Sequence, residues 1–251
     1  MDALVATWLL VFVRTVSLLM TLPVFATLGV PRSVPVLMAL GITVLVAPGV
    51  GVVESLAFDR SLVLAVAFEV LVGSLAGLSV RLIFTGLALA GEVMSLQMGF
   101  AMAQLMDPMQ RTQQSPVTSV ATWVAGLMFI ASDFHVACLH ILSAGFAALP
   151  PGDAVLSTSA VESVLEVGDV VFALGVQLAG PAMALVLLVN VLVGVLGKLA
   201  PRMNVFFSVG PTLTSIGGVL LLGIALPSMT LALMDALEPS IRALPLFLGR
   251  P

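Results

Sequence analysis

Long apolar runs, separated by short clusters of charge, proline and glycine, set the pattern of this chain. About six occur, at residues 3–30 (interrupted by Arg14), 34–53, 61–90, 117–149, 170–197 and 203–235. A helix needs roughly 20 apolar residues to cross about 30 Å of hydrocarbon, and each run reaches or approaches that length. The run at 117–149 is longer than one crossing and holds Asp133, His135 and His140, which predicts a bent span or a hairpin. The pattern predicts an all-α integral membrane protein of about six long helices in hairpins, some of them broken. Pro181, Pro211 and Pro227 lie inside apolar runs, where the missing amide donor and the ring bend or break a helix.

Small residues recur at packing spacing. Gly73 and Gly77 form a GxxxG, Gly86 and Ala90 a small-xxx-small pair, and Gly194, Gly197, Gly210, Gly217 and Gly218 thin the last two runs. Lipid gives helices no hydrophobic reason to associate, so such faces serve close approach, within the bundle or to other subunits. Backbone freed at proline is tolerated in a bilayer only where protein or water covers it. This is the pattern of a chain surrounded by protein.

Composition agrees. Of 251 residues, 60% are hydrophobic and 9% charged, with a mean hydropathy of +1.22, against about 25% charged in soluble domains. The net charge of -4 without a basic cluster argues against nucleic acid as a partner. Cys138 is the single cysteine, which excludes an internal disulfide framework. The apolar run after Met1 continues past the core of a signal peptide with no A-x-A site, so the first span is expected to stay in the mature protein. Arg32, Arg111, Lys198 and Arg202 stand against Asp107 in one set of turns. Glu54, Asp59, Asp153, Glu162, Glu166 and Asp169 stand against Arg60 in the other. The positive-inside bias places the first set in the cytoplasm and both termini outside.

Four ionisable residues, Arg14, Glu69, Arg81 and Glu92, fall within or at the borders of apolar runs. A charge at the bilayer centre costs roughly 2.5–3.5 kcal/mol on insertion scales. They are expected to be buried in one of three ways: as structural pairs such as Arg81 with Glu92 across helices, on a proton or substrate path, or shielded from lipid in an assembly. Catalysis has little support. His135 and His140 are five apart, about 140° around a helix and a poor chelate, and there is no HExxH, P-loop or GxGxxG. Ser208-Val209-Gly210 and Ser215 have surroundings that read as helix packing. No catalytic residue, metal or cofactor is expected.

The stretch from Gly91 to Pro108 is too polar for an ordinary span and too apolar for a soluble helix. Met94, Met98, Met102 and Met106 repeat every four residues, with Met109 after them, in a stripe drifting about 40° per step. Thioethers adapt to irregular surfaces, so the stripe suits either a helix interface or a seal around a changing shape. Gln97 and Gln104 share another face, suited to a polar lumen or a bridge between subunits. Asp107-Pro108-Met109-Gln110-Arg111-Thr112-Gln113-Gln114-Ser115-Pro116 then forms a polar segment bracketed by prolines, which alone reads as a solvated turn.

Gly91-Glu92, Leu96-Gln97-Met98-Gly99 and Asp107-Pro108 resemble the central signature of the FliR family of type III export-gate subunits. The resemblance runs nearly end to end: Arg14 followed by Pro23, Arg32-Ser33-Val34-Pro35, His135 followed by Leu149-Pro150, Leu199-Ala200-Pro201, and the Phe206–Thr214 run. Virulence-secretion homologues carry an Asp-Asn-Gln-Arg-Gly type sequence near Gln97, so Leu96-Gln97-Met98-Gly99 favours the flagellar branch over an export gate for virulence factors. The resemblance implies a subunit of the bacterial inner membrane and flagellar basal body, in a helical assembly with FliP and FliQ and with FlhB on the cytoplasmic side. Unfolded flagellar subunits would thread past it. It implies a FliP-like region at 1–169, a FliQ-like hairpin at 170–236 and a tail at 237–251. It further implies a pore plug from Met106 to Pro116 and a pore helix or gasket carrying Met94, Gln97, Met98, Met102 and Gln104. The cytoplasmic turn carrying Lys198, Pro201, Arg202 and Asn204 would meet FlhB. A self-contained solute transporter and an intramembrane hydrolase are the other classes the residues leave open.

The topology has a direct test. A cysteine at Asn204 should resist an impermeant thiol reagent applied from the periplasmic side; labelling without permeabilisation would reverse the assigned orientation.

Overall fold

The computed structural model describes residues 2–27, 29–52, 60–98, 115–153, 158–199 and 210–247. They form helices α1 (Asp2–Thr21), α2 (Pro23–Thr27), α3 (Ser33–Val46, followed by a 3-10 turn, Ala47–Gly49), α4 (Arg60–Gln97), α5 (Pro116–Ala131), α6 (Phe134–Ala148), α7 (Thr158–Leu199) and α8 (Gly210–Phe247). No strand occurs among the described residues. The chain is an all-α membrane protein. The stretches Ala3–Thr21, Ser61–Gln97 and Val167–Leu199 are each long and apolar enough to cross a bilayer.

The run at 117–149 is a bent pair: α5 and α6 meet at 59°. Asp133 makes the corner in the left-handed region (φ 56°), and its carbonyl accepts from the amides of Val136 (2.9 Å) and Ala137 (3.0 Å) to start α6. Two expectations need correction. The 34–53 run is not one long helix, because α3 has 14 residues before Pro48 and Gly49 end it; at 1.5 Å per residue it is too short to cross. Pro181 does not break its helix, since α7 continues from Thr158 to Leu199. In α8 the segments Thr212–Leu220 and Leu222–Glu238 differ in direction by 45°. The bend lies beside Gly223, whose carbonyl Pro227 deprives of its amide donor.

The chain divides into two compact units. The first comprises residues 1–83, 126–169 and 235–251. Here α1 packs on α3, and Ala6 and Leu10 of α1 pack on Leu62 and Ala65 of α4. Val72 of α4 packs on Ile141 of α6 and on Leu149. The GxxxG explains the α1–α4 approach. A Cβ on Gly73 would lie 2.5 Å from the Arg14 carbonyl oxygen, and one on Gly77 would lie 2.8 Å from that of Leu18.

At the centre of this unit Arg14 and Glu69 form an ion pair with both side chains 0% exposed. Arg14 donates through Nε and Nη2 to the two Glu69 oxygens (Nη2···Oε1 2.9 Å) and through Nη1 to the Leu149 carbonyl (2.9 Å). Glu69 Oε1 also accepts from the Gly152 amide at 3.0 Å, and the guanidinium lies 4.7 Å over the Phe146 ring. One pair thus joins α1, α4 and the turn after α6. Thr15, Thr43 and Ser79, all buried, donate their hydroxyls to carbonyls one turn back in their own helices.

Removing one partner of such a pair leaves a buried charge and costs about 3–5 kcal/mol, whereas replacing both with apolar residues is often close to neutral. Glu69→Leu or Arg14→Leu alone should therefore abolish accumulation of the folded chain. The double variant should recover much of it, short of wild type because Leu149 and Gly152 lose partners. Accumulation of the three variants in membranes checks this. Additive single effects would show that the pair is not the source of the loss.

Candidate functional site

The second unit comprises residues 84–125 and 170–234: the end of α4, the start of α5, most of α7 and the first part of α8. It is built on glycine contacts. A Cβ on Gly86 would lie 2.8 Å from the Val171 carbonyl, and one on Gly175 would lie 2.9 Å from Leu89 Cδ2, so α4 and α7 meet through facing glycines. A Cβ on Gly91 would lie 2.7 Å from Thr118 Cα, which brings α4 against the first turn of α5. Gly218 of α8 faces the side chain of Met98. A Cβ on Gly194 or Gly197 would meet nothing within 4 Å. Of the two roles open to the glycines, packing within the chain holds for Gly86, Gly91, Gly175 and Gly218.

These contacts position the polar groups at the end of α4. Ser115 precedes Pro116, the first residue of α5, and its Oγ accepts from the Thr118 amide at 3.1 Å, an N-cap with proline at the position that needs no donor. Glu92 reaches the same turn. Its Oε1 accepts from the Ser115 amide at 3.3 Å and from Thr118 Oγ1 at 2.9 Å, and the Ser115 and Thr118 hydroxyls lie 2.8 Å apart. A carboxylate is well placed there, because the amides of a helix N-terminus favour negative charge. At the end of α4, Ser215 of α8 donates its hydroxyl to the Met98 carbonyl at 2.7 Å. That carbonyl belongs to a helix terminus, where no later amide of the same helix is available.

The expected site residues divide accordingly. Met94 and Met98 are buried within this chain, at 1% and 0% exposure, and Gln97 is half-buried. Of the expected buried charges, Arg14 and Glu69 are buried and Glu92 is half-buried, held by hydroxyl and amide donors. Arg81, by contrast, is exposed on this chain taken alone. It shares an outward stripe of α4 with Thr85 and Leu89, four residues apart, while Val80, Ile83 and Phe84 face inward. Ser115 and Pro116, at the end of the expected polar loop, open α5, and Lys198 lies exposed at the end of α7. Met102, Gln104, Met106, Asp107, Pro108, Met109, Gln110, Arg111, Thr112, Gln113 and Gln114 lie outside the described residues, as do Pro201, Arg202, Asn204 and Ser208.

Sequence reasoning misses the partners more than the residues. It pairs neither Arg14 with Glu69 nor Glu92 with Thr118, although Ser115-Pro116 is a legible helix start. Ser215, a conceivable nucleophile by sequence, has its hydroxyl committed to a backbone carbonyl. No three His, Cys, Asp or Glu side chains come together as a metal site among the described residues. An apolar cavity lined by Leu87, Val124, Leu226 and Met229, among others, offers almost no polar surface to a ligand.

The fold defines an all-α membrane protein whose helices are notched by glycine, with a buried ion pair in the first unit and a carboxylate held at a helix start in the second. Residues 5–239 match the family described as bacterial export proteins, family 1, and the chain belongs to that family. It is 32% identical over 216 residues to the flagellar biosynthetic protein FliR of Pectobacterium carotovorum subsp. carotovorum, covering 86% of this chain and 82% of that protein. The FliR of Caulobacter vibrioides is 31% identical over 233 residues, covering 90% of each chain. The Escherichia coli (strain K12) FliR is 27% identical over 214 residues, covering 85% of this chain and 82% of its own.

The two notches differ in what they would meet. Gly91 faces backbone, which cannot give way, so Gly91→Ala should cost about 1–3 kcal/mol. Gly218 faces the buried Met98 side chain, which must be displaced but is not backbone, so Gly218→Ala should cost less. Thermal stability of the purified protein, in whatever assembly it leaves the membrane, checks the order; equal losses would contradict this packing.

Proposed function

We propose that this chain is a non-catalytic core subunit of the flagellar type III protein-export gate in the bacterial inner membrane, lining the path of unfolded flagellar subunits. Membership of the export family across residues 5–239, with relatives named as flagellar biosynthetic proteins, is the observation that carries the reading. The end of α4 supports it: a half-buried carboxylate, a half-buried amide and buried methionines stand at positions 92–98, ahead of the segment 106–116 in the sequence. In this reading residues 106–116 plug the closed pore, and Met102 and Gln104 continue the pore helix begun at Met94, Gln97 and Met98. FliP and FliQ complete the ring, residues 170–236 act as a FliQ-like hairpin after a FliP-like region at 1–169, and FlhB meets the turn around Lys198, Pro201, Arg202 and Asn204. A solute transporter would need a polar midplane site between two broken helices, and no observation favours one.

Two measurements test the reading together. Expressed without FliP and FliQ, the chain should aggregate or be degraded; a monodisperse folded monomer in mild detergent would count against an export-gate subunit. Deleting residues 110–114, which leaves the Ser115 cap of α5 in place, should raise leakage of ions or small solutes while the complex still assembles. Normal permeability in that deletion would remove the plug assignment.

A further inference from the structure

Asn190 is a carboxamide set inside the apolar stretch of α7. That stretch, Val167–Leu199, has 33 residues, about 50 Å at 1.5 Å per residue, whereas hydrocarbon takes up only about 20 of them. Gln177 and Lys198 bracket residues 178–197, a run that matches the hydrocarbon in length, and within it Asn190 is the only polar side chain. Lys198 is exposed, and a lysine at a helix end reaches for the membrane interface. Asn190 lies eight residues before it, about 12 Å deeper. Its side chain is exposed on this chain and takes no hydrogen bond among the described residues.

The helix directs this group away from its own bundle. Val186 and Val193, four residues before and three after, are buried. At 100° per residue they fall on one side of Asn190, while Met183, Leu187 and Gly194 fall on the other, within an arc of about 60° that includes Asn190. Met183 is 40% and Leu187 67% exposed, and a Cβ on Gly194 would meet nothing within 4 Å. Gly86 and Gly91 are met by backbone of this chain, and Gly194 is not.

Lipid suits Met183 and Leu187 and leaves the carboxamide unanswered. Asn190 has two N–H donors and an acceptor oxygen, and in hydrocarbon such a group must be answered by protein. Membrane helices answer side-chain amides across helix–helix contacts, where a small neighbouring residue lets the backbones approach. The best complement is a side chain that both donates and accepts, an amide or a hydroxyl. We propose that the face of α7 formed by Met183, Leu187, Asn190 and Gly194 docks a membrane helix of a neighbouring subunit, one that presents an amide or hydroxyl side chain at the depth of Asn190. The proposal rests on the export-gate reading above and adds to it a contact surface and the hydrogen bond at its centre.

The test uses the full chain co-expressed with FliP and FliQ. Two quantities are read: the amount of chain in the membrane, and the share of it that co-purifies with FliP and FliQ in mild detergent. Asn190→Leu should accumulate normally, because it removes a polar group from a span. It should co-purify about three- to tenfold less, the range one interhelical hydrogen bond supports. Asn190→Gln keeps the amide and should lose less; equal losses would overturn the hydrogen-bonding role. Unchanged or improved co-purification of Asn190→Leu would make this a lipid-facing position and overturn the proposal. A photoreactive residue at Leu187 should give adducts to FliP or FliQ, on a stretch holding Ser, Thr, Asn or Gln within a helical turn of the attached residue. A partner stretch with none of these, or an adduct to a second copy of this chain, would contradict it. Should the wild-type chain hold neither FliP nor FliQ, the export-gate reading fails and the proposal with it. A wild-type complex that survives Asn190→Leu undiminished removes the proposal alone.

Discussion

A bilayer offers no hydrogen-bond partner to a polar group, so every such group in this chain must be answered by protein or lie where water or a partner reaches it. Each of the two units meets this constraint at its buried or half-buried carboxylates, although His135 Nδ1 in the first is buried without a hydrogen-bond partner among the described residues. In the first, the Arg14 guanidinium is distributed over Glu69, the Leu149 carbonyl and the Phe146 ring, and Glu69 in turn takes the Gly152 amide. In the second, Glu92 is held by a hydroxyl and an amide at a helix start. Buried ion pairs give little net stability and are retained where a specific arrangement is needed. The arrangement here is the joining of α1, α4 and the turn after α6, a geometry that apolar contact alone would define loosely.

Glycine is the counterpart of these polar ties. Helices that lack a hydrophobic drive to associate must gain from close contact. Gly73 and Gly77 in the first unit, and Gly86, Gly91 and Gly175 in the second, put backbone against backbone or nearly so. The hydrogen bonds then operate over short, fixed distances: Thr118 is within reach of Glu92 because Gly91, the neighbouring residue, admits its backbone. Large apolar residues remain exposed elsewhere, including Leu187, Leu188, Val191 and Leu199 on α7 and Ile216 and Ile224 on α8. Such a surface belongs in lipid or against other subunits.

Much of this is legible in the sequence, and the limits have physical causes. Apolar run length gives the helical membrane class, and the polar insert around Asp133 gives the bend between α5 and α6. Of the two outcomes open to Pro181, bending or breaking, the break does not occur, because a membrane helix tolerates one missing donor and α7 continues through it. The short α3 is over-read, its apolar run continuing past the Pro48-Gly49 that ends the helix. Arg81 illustrates the deeper limit. Hydropathy places a charge within a span, and the face it occupies depends on which neighbours pack, so Arg81 faces outward and Arg14 inward. Pairings across 55 residues, such as Arg14 with Glu69, carry no local signal at all.

The central claim is that the end of α4 and the segment following it border the path of an exported polypeptide. Site-specific photo-crosslinking against a flagellar subunit stalled in transit tests this most directly, with the photoreactive residue placed at Gln97, Gln104 or Gln110. A comparison position is Leu45 on α3, 82% exposed on this chain. The account predicts adducts to the stalled subunit from the three glutamine positions and none from Leu45. Adducts from Leu45 with none from Gln97, Gln104 and Gln110 would contradict it.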